Sequence, residues 1–316
     1  MKLRMSEPTT TAEPKLIDQI LDLRAPHASL RFLDHFTGKG DAEGLWPSRA
    51  AALQALFKSG SRIGVWLPKA MGLPSNLIWE PLPRDPEDFL ACSLAGLDGL
   101  YVCNPNPIDG YFMPDEIYIS LLKHALTVPG LRVISDESLF SYRHEPYACG
   151  TASHLLPSGR VGMLYALEEW DGRAGALLWG LKAETLPATQ LDERSAGALI
   201  ALQRRDFVGS LDLLRWTTNA GRAMRSFTEN IRPAIDQGLI RIEHWPKAGH
   251  RLLVHAKAPF QGELFLKRLE KEALVQALSG DQVGVPGSLL FDLAQPVRIA
   301  REAAQRFVKL VLSTLT

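Results

Sequence analysis

From about residue 49 the chain alternates short apolar runs with longer amphipathic stretches. RAAALQALF reads as a helix with Ser48 placed to cap it. RIGVWL (62–67), GLYVCN (99–104), LRVISD (131–136), RVGMLYAL (160–167) and AGALLWGL (174–181) read as buried strands. The pattern DEIYISLLKHAL (115–126) predicts a helix between the second and third of them. Strands apolar on both faces and separated by helices predict βαβ units, hence an α/β fold with a mainly parallel central sheet flanked by helices. Ligands of such sheets sit beyond the carboxyl ends of the strands. The residues of interest are therefore Pro68-Lys69, Asn104 to Gly110, Asp136-Glu137 and Glu168 to Gly172.

The ends of the chain read differently. Residues 1–14 are rich in Thr, Pro and Glu and predict a loose tail, and KLIDQILDLR after them has helical spacing. A long basic helical region spans 195–238. It is followed by strand-like LIRIEHW and HRLLVHAKA, a helix ELFLKRLEKEALVQAL, a strand GSLLFDLA and a last helix VRIAREAAQRFVKLVL. This mixture predicts an α+β small domain. The expected division is a tail over 1–14, a large domain over 15–205, and a bridging helix with the C-terminal small domain over 206–316.

Composition narrows the function classes. The 316 residues carry 35 Lys+Arg against 35 Asp+Glu. A balanced charge argues against nucleic-acid binding through bulk electrostatics. No apolar run reaches the roughly 18 residues a membrane span needs. The N-terminus lacks the apolar core of a secretory signal, and three cysteines (Cys92, Cys103, Cys149) have no metal-type spacing. The expectation is a cytoplasmic protein with reduced thiols and no metal centre.

The strand ends, taken in order, carry a resemblance. Asn104-Pro105-Asn106-Pro107-Ile108-Asp109-Gly110 is similar to an Asn-Pro-Asn-Asn-Pro-(Thr/Asp)-Gly turn. Val133-Ile134-Ser135-Asp136-Glu137 resembles a strand ending in Asp-Glu-x-Tyr, and Arg160 to Gly175 a segment carrying Ser-x-Ser-Lys-x-x-Gly-Leu-x-Gly-x-Arg. SLLFDLAQPVRIAREAAQRFVKLV resembles a final strand and helix. Together, over roughly residues 45–315, these motifs resemble the pyridoxal-phosphate-dependent aminotransferases of fold type I, class I/II. The flavour is close to histidinol-phosphate aminotransferases and threonine-phosphate decarboxylases. The resemblance implies the two-domain aminotransferase architecture and a dimer with its sites at the subunit interface.

The same comparison implies a degenerate site. Laid without gaps, Glu169 stands where the family's Schiff-base Lys belongs, and Ala166 and Glu168 replace its two Ser residues. The phosphate-clamping Arg falls on Leu177, the Tyr of Asp-Glu-x-Tyr on Leu139, the ring-stacking aromatic near Ala70, and the carboxylate-binding Arg on Leu290. Asp136 remains as the partner of the pyridine nitrogen. Asn106, on a one-residue shift, remains as the partner of the phenolic oxygen; without the shift that place is Pro107. Ser48, Arg49 and the helix N-terminus offer an anion site. Lys69 and Lys182 are weak substitutes for the missing amine. Trp170 and Trp179 are expected to fill space near the pocket, and His144 and His154 to be surface residues.

These readings predict an aminotransferase-fold pseudoenzyme without pyridoxal-phosphate chemistry: a binding or assembly subunit, in a homodimer or beside a catalytic partner. No cofactor is expected, with pyridoxal phosphate reserved for an atypical enzyme lacking the Lys. An alternative is an enzyme of small-molecule biosynthesis whose carboxylates Asp136, Glu168 and Glu169 act as acid/base groups or metal ligands. With Asp109 and Asp171 they would form an acidic pocket suited to an amine. On the scaffold reading these are solvated loop carboxylates, and replacing Glu169 by Ala is silent or stabilising.

Overall fold

A computed structural model of the chain describes residues 19–27, 44–142, 150–170, 172–181, 191–204 and 211–314. The expectations for the tail over 1–14 and for His144, Cys149, Asp171 and Lys182 fall outside these residues.

The first described elements are the short strands β1 (Leu21–Asp22) and β2 (Leu45–Trp46), the helix α1 (Arg49–Leu56), and the strands β3 (Arg62–Trp66) and β4 (Ile78–Leu82). Next come α2 (Pro86–Ala91), β5 (Gly99–Cys103), α3 (Asp115–Ala125), β6 (Arg132–Asp136), β7 (Val161–Ala166) and β8 (Ala176–Trp179). They form a seven-stranded sheet in the order β2-β8-β7-β6-β5-β3-β4. β7, β6, β5, β3 and β4 run parallel, while β8 and β2 close one side antiparallel. Every residue of β5 and of β7 is buried, as expected for central strands covered on both faces. The edge strand β4 was not visible in the pattern. It is half-exposed and contains Pro81, which only an edge or a bulge tolerates.

The remaining elements are α4 (Glu193–Arg204), α5 (Leu211–Asp236), β9 (Ile240–Arg241), β10 (Arg251–Ala256), α6 (Gly262–Ala273), β11 (Val275–Gln276), β12 (Leu278–Ser279), β13 (Ser288–Asp292) and α7 (Val297–Ser313). A second sheet of order β12-β13-β10-β9 is antiparallel throughout. The 26-residue α5 is shared by two cores. Its Leu213, Trp216 and Ala220 join the core beneath the large sheet, and Ala223 to Ala234 join the core built on β10, β13 and α7.

Two predicted helices change. KLIDQILDLR ends as strand, because Leu21 and Leu23 are buried while Asp22 is exposed, a two-residue period. The Leu21 amide donates to the Leu274 carbonyl at 2.8 Å. The helix predicted through residue 278 stops at Ala273: Leu274 takes a left-handed conformation, φ 54°, and frees Val275 to pair with Leu21. Within the helical region predicted over 195–238, the described residues form α4 and α5.

The register places the chemistry. Cys103 of β5 lies beside Asp136 of β6, and Asp136 beside Leu164 of β7. The carboxyl ends of the three strands therefore converge, and β10 of the second sheet approaches them. Gly110, in the turn after β5, makes that approach possible. It has φ +66°, and a Cβ there would lie 2.2 Å from the Ala248 carbonyl oxygen.

Candidate functional site

Asp136 and Glu169 are not solvated loop carboxylates. They are 2% and 1% exposed, inside a network centred on two buried arginines. Arg49 is the first residue of α1, which Ser48 caps through its side chain and the Ala51 amide. Its side chain turns inward. Nε lies 3.0 Å from Asp136 Oδ2, Nη2 is 2.5 Å from Glu169 Oε1, and Nη1 donates to the Met71 carbonyl at 2.6 Å. Arg251, the first residue of β10, donates through Nη1 to the other Glu169 oxygen and through Nε to Asp292 Oδ2 at 3.4 Å. Asp292 Oδ2 also bonds His250 Nε2 at 3.1 Å. A chain of ion pairs thus runs from the large sheet through Glu169 into the small one.

Asp136 is further held by Tyr101, whose hydroxyl donates to Oδ2 at 2.5 Å, and by the hydroxyl and amide of Ser138 at Oδ1. Trp170 Nε1 donates to the Ser138 carbonyl at 2.7 Å. The indole itself packs with Tyr142 and Trp216. Burial alone would push the Glu169 carboxyl up, but Arg49 and Arg251 outweigh it and hold it down at about 2. Burial raises the Tyr101 hydroxyl and the Cys103 thiol well above their ordinary values, so both stay neutral.

Glu168 differs from its neighbour. Oε1 accepts weakly from the Arg49 amide at 3.4 Å, and Oε2 is buried with no partner among the described residues. Its carboxyl is raised, by burial first, with Arg49 opposing and Glu169 adding to the rise.

The other expected site residues lie apart. Asn106 is buried, with Nδ2 donating to the Pro68 carbonyl at 2.7 Å and Oδ1 accepting from the Ile108 amide at 2.9 Å. Both ends of its amide are used within the turn. Asp109 pairs with Arg84 at 2.7 Å and belongs to a different cleft. The predicted single acidic pocket of Asp109, Asp136, Glu168 and Glu169 is therefore divided in two, and three of these four carboxylates are neutralised by arginines. Leu290 packs with Ile108, Leu253 and Val283 in an apolar cluster. Trp170 is buried as expected, whereas Trp179 is 47% exposed and fills nothing. Arg49 has internal carboxylate partners, contrary to the expected anion site. Among the described residues no His/Cys/Asp/Glu group is arranged to hold a metal, and no helix is long and apolar enough to cross a membrane.

Sequence reasoning missed Arg251, Tyr101, Ser138, Asp292 and His250. The one available signal was a charged residue opening the otherwise apolar strand RLLVHA, since a buried charge demands a buried partner.

No family model and no curated protein matches the chain. Solved structures do match it. An aspartate aminotransferase double mutant of Thermus thermophilus aligns over 84% of this chain and 75% of its own, with TM-score 0.67 and 18% identity. A PLP-bound protein of Clostridium difficile 630, described as an aminotransferase, aligns over 84% and 76%, with TM-score 0.67 and 16% identity. A protein of Corynebacterium diphtheriae, described as a PLP-dependent β-cystathionase, aligns over 90% and 81%, with TM-score 0.68 and 14% identity. The fold is that of the fold type I aminotransferases.

These neighbours correct the expectation of no cofactor, with pyridoxal phosphate reserved for an atypical enzyme lacking the Lys. Their shared scaffold, with one of them PLP-bound, points to pyridoxal phosphate. The position that the resemblance gives to the imine-forming lysine is Glu169 in this chain. A carboxylate forms no imine, and both oxygens of Glu169 are already engaged by buried guanidinium groups.

Proposed function

On this aminotransferase scaffold, we propose that the chain does not run lysine-imine chemistry and serves as a binding or assembly subunit, alone as a homodimer or beside a catalytic partner. The observation that supports this most is the Arg49–Glu169–Arg251 bridge, at the place the resemblance gives to the Schiff-base lysine. A catalytic pocket needs polar groups aimed at substrate, poised to change protonation or partners. Here Asp136 and Glu169 spend their oxygens on Arg49, Arg251, Tyr101 and Ser138, and the Glu169 carboxyl is held too low to exchange protons near neutral pH. Such a network ties the two sheets together and maintains a shape.

The test is borohydride reduction of the full-length protein after incubation with pyridoxal phosphate, followed by intact-mass measurement and an amino-donor assay. The expected result is no lysine-linked pyridoxyl group at this site and no transamination. A stoichiometric adduct with turnover overturns the proposal. Non-covalently held pyridoxal phosphate is compatible with it.

One observation favours a second reading, an enzyme with a repurposed pocket. Glu168 has a raised carboxyl and an oxygen without a partner among the described residues, the state a general acid would have. Asp136 and Glu169 would then position Arg49 rather than exchange protons.

A further inference from the structure

A cavity of about 680 Å³ opens between the ends of β3 and β4, the turn after β5, and the face of β10. We propose that this cleft binds a small organic ammonium ion with an apolar body. The proposal is independent of the function proposed above: a lysine imine elsewhere in the chain would leave it standing.

The size falls in the range of small-molecule sites, which are typically about 300–1,000 Å³. Leu67, Leu82, Leu253 and Val285 give the cleft apolar walls from both sheets. Its polar groups are biased towards one sign. Asp85, Asp109 and Glu243 line it, against Arg84 as the one permanently charged cation of the lining.

That arginine is already engaged, in an ion pair with Asp109 at 2.7 Å and over the Tyr111 ring at 4.2 Å from the centroid. It is poorly available to an anion, and the Tyr111 face it covers is already occupied. Glu243 is 52% exposed, and its Oε2 meets His255 Nε2 at 3.0 Å. Burial pushes the His255 ring towards its neutral form, against Glu243 and Asp109, and nearby Arg241 and His244 add to that push. With His255 neutral, no formal charge on that ring offsets the Glu243 carboxylate at the mouth of the cleft. Apolar walls and excess carboxylate together select a cation that carries hydrocarbon.

The experiment titrates phenethylammonium into the full-length protein at neutral pH and low salt, followed by calorimetry. 3-Phenylpropionate and 2-phenylethanol serve as the anionic and neutral controls of the same size. The expected result is saturable binding at one site per chain, tighter for the cation than for the alcohol by about fivefold or more. Glu243→Gln should weaken the cation to near the alcohol, because it removes charge while keeping a polar side chain on a half-exposed position. Val285→Trp should abolish binding by filling the cleft; if that variant fails to fold, Glu243→Gln alone decides. The proposal is overturned if no ligand saturates, if the anion or the alcohol binds as tightly as the cation, or if Glu243→Gln leaves the cation's affinity unchanged.

Discussion

Removal of the Glu169 carboxylate probes the ionic bridge most directly. In Glu169→Ala, Arg49 Nη2 loses its partner and Arg251 Nη1 is left with the Pro107 carbonyl at 3.5 Å. Both arginine side chains are at most 3% exposed, so water cannot replace the lost acceptor. Arg49 keeps Asp136, and Arg251 keeps Asp292, so each cation stays partly compensated. Breaking a buried pair from one side costs about 3–5 kcal/mol. The low Glu169 pKa agrees in sign and size. A carboxyl held at about 2 rather than 4.5 corresponds to about 3 kcal/mol of native-state stabilisation above its unfolded pKa. For a chain of this size, such a loss lowers Tm by about 5–8 °C.

Thermal unfolding of wild type, Glu169→Ala, Glu169→Gln and Glu169→Lys at neutral pH measures it. The Gln variant should fall between wild type and Ala, because its oxygen still accepts one guanidinium bond. The Lys variant should be the least stable, because it places a third cation beside two buried ones. The reasoning is refuted if Glu169→Ala melts within about 2 °C of wild type, a change of about 1 kcal/mol or less. That is the silent result expected from a solvated loop carboxylate.

Three further outcomes are expected. Glu169 has a depressed folded pKa, so its stabilisation is complete above the unfolded value of 4.5 and is lost as pH falls from there towards about 2. Thermal melts across that window should show a falling Tm. Glu168 acts in the opposite sense, since a raised carboxyl gains stability on protonation. Glu168→Gln should therefore leave neutral-pH stability unchanged or raise it by about 1 kcal/mol, read from urea midpoints. Gly110→Ala should destabilise by about 2 kcal/mol or more, because a left-handed φ and a collision with the Ala248 carbonyl must both be relieved. A urea midpoint equal to wild type would show that the turn relaxes freely.

How much was legible depended on the range of the interaction involved. The fully apolar runs GLYVC and VGMLYA announced buried parallel strands, because burial on both faces leaves no alternation. The turn beginning at Asn104, the strand ending at Asp136, the segment from Arg160 to Gly175 and the last strand and helix carried the aminotransferase likeness through their order, spacing and strand context. Edge strand β4 was hidden, since half-exposure and a proline erase the pattern. β1 was hidden because its partner lies more than two hundred residues away.

The chain's sequence by itself determined the fold class and placed a carboxylate where the resemblance calls for an amine. Only the tertiary structure decided what that carboxylate does. Arg49 and Arg251 come from helix and strand starts 202 residues apart in numbering, and nothing local to either names Glu169 as their shared partner. Folding brings them to 2.5 Å and to hydrogen-bonding contact with the two oxygens of Glu169, away from water. Coulomb attraction depends on distance and dielectric, and both are properties of the folded molecule.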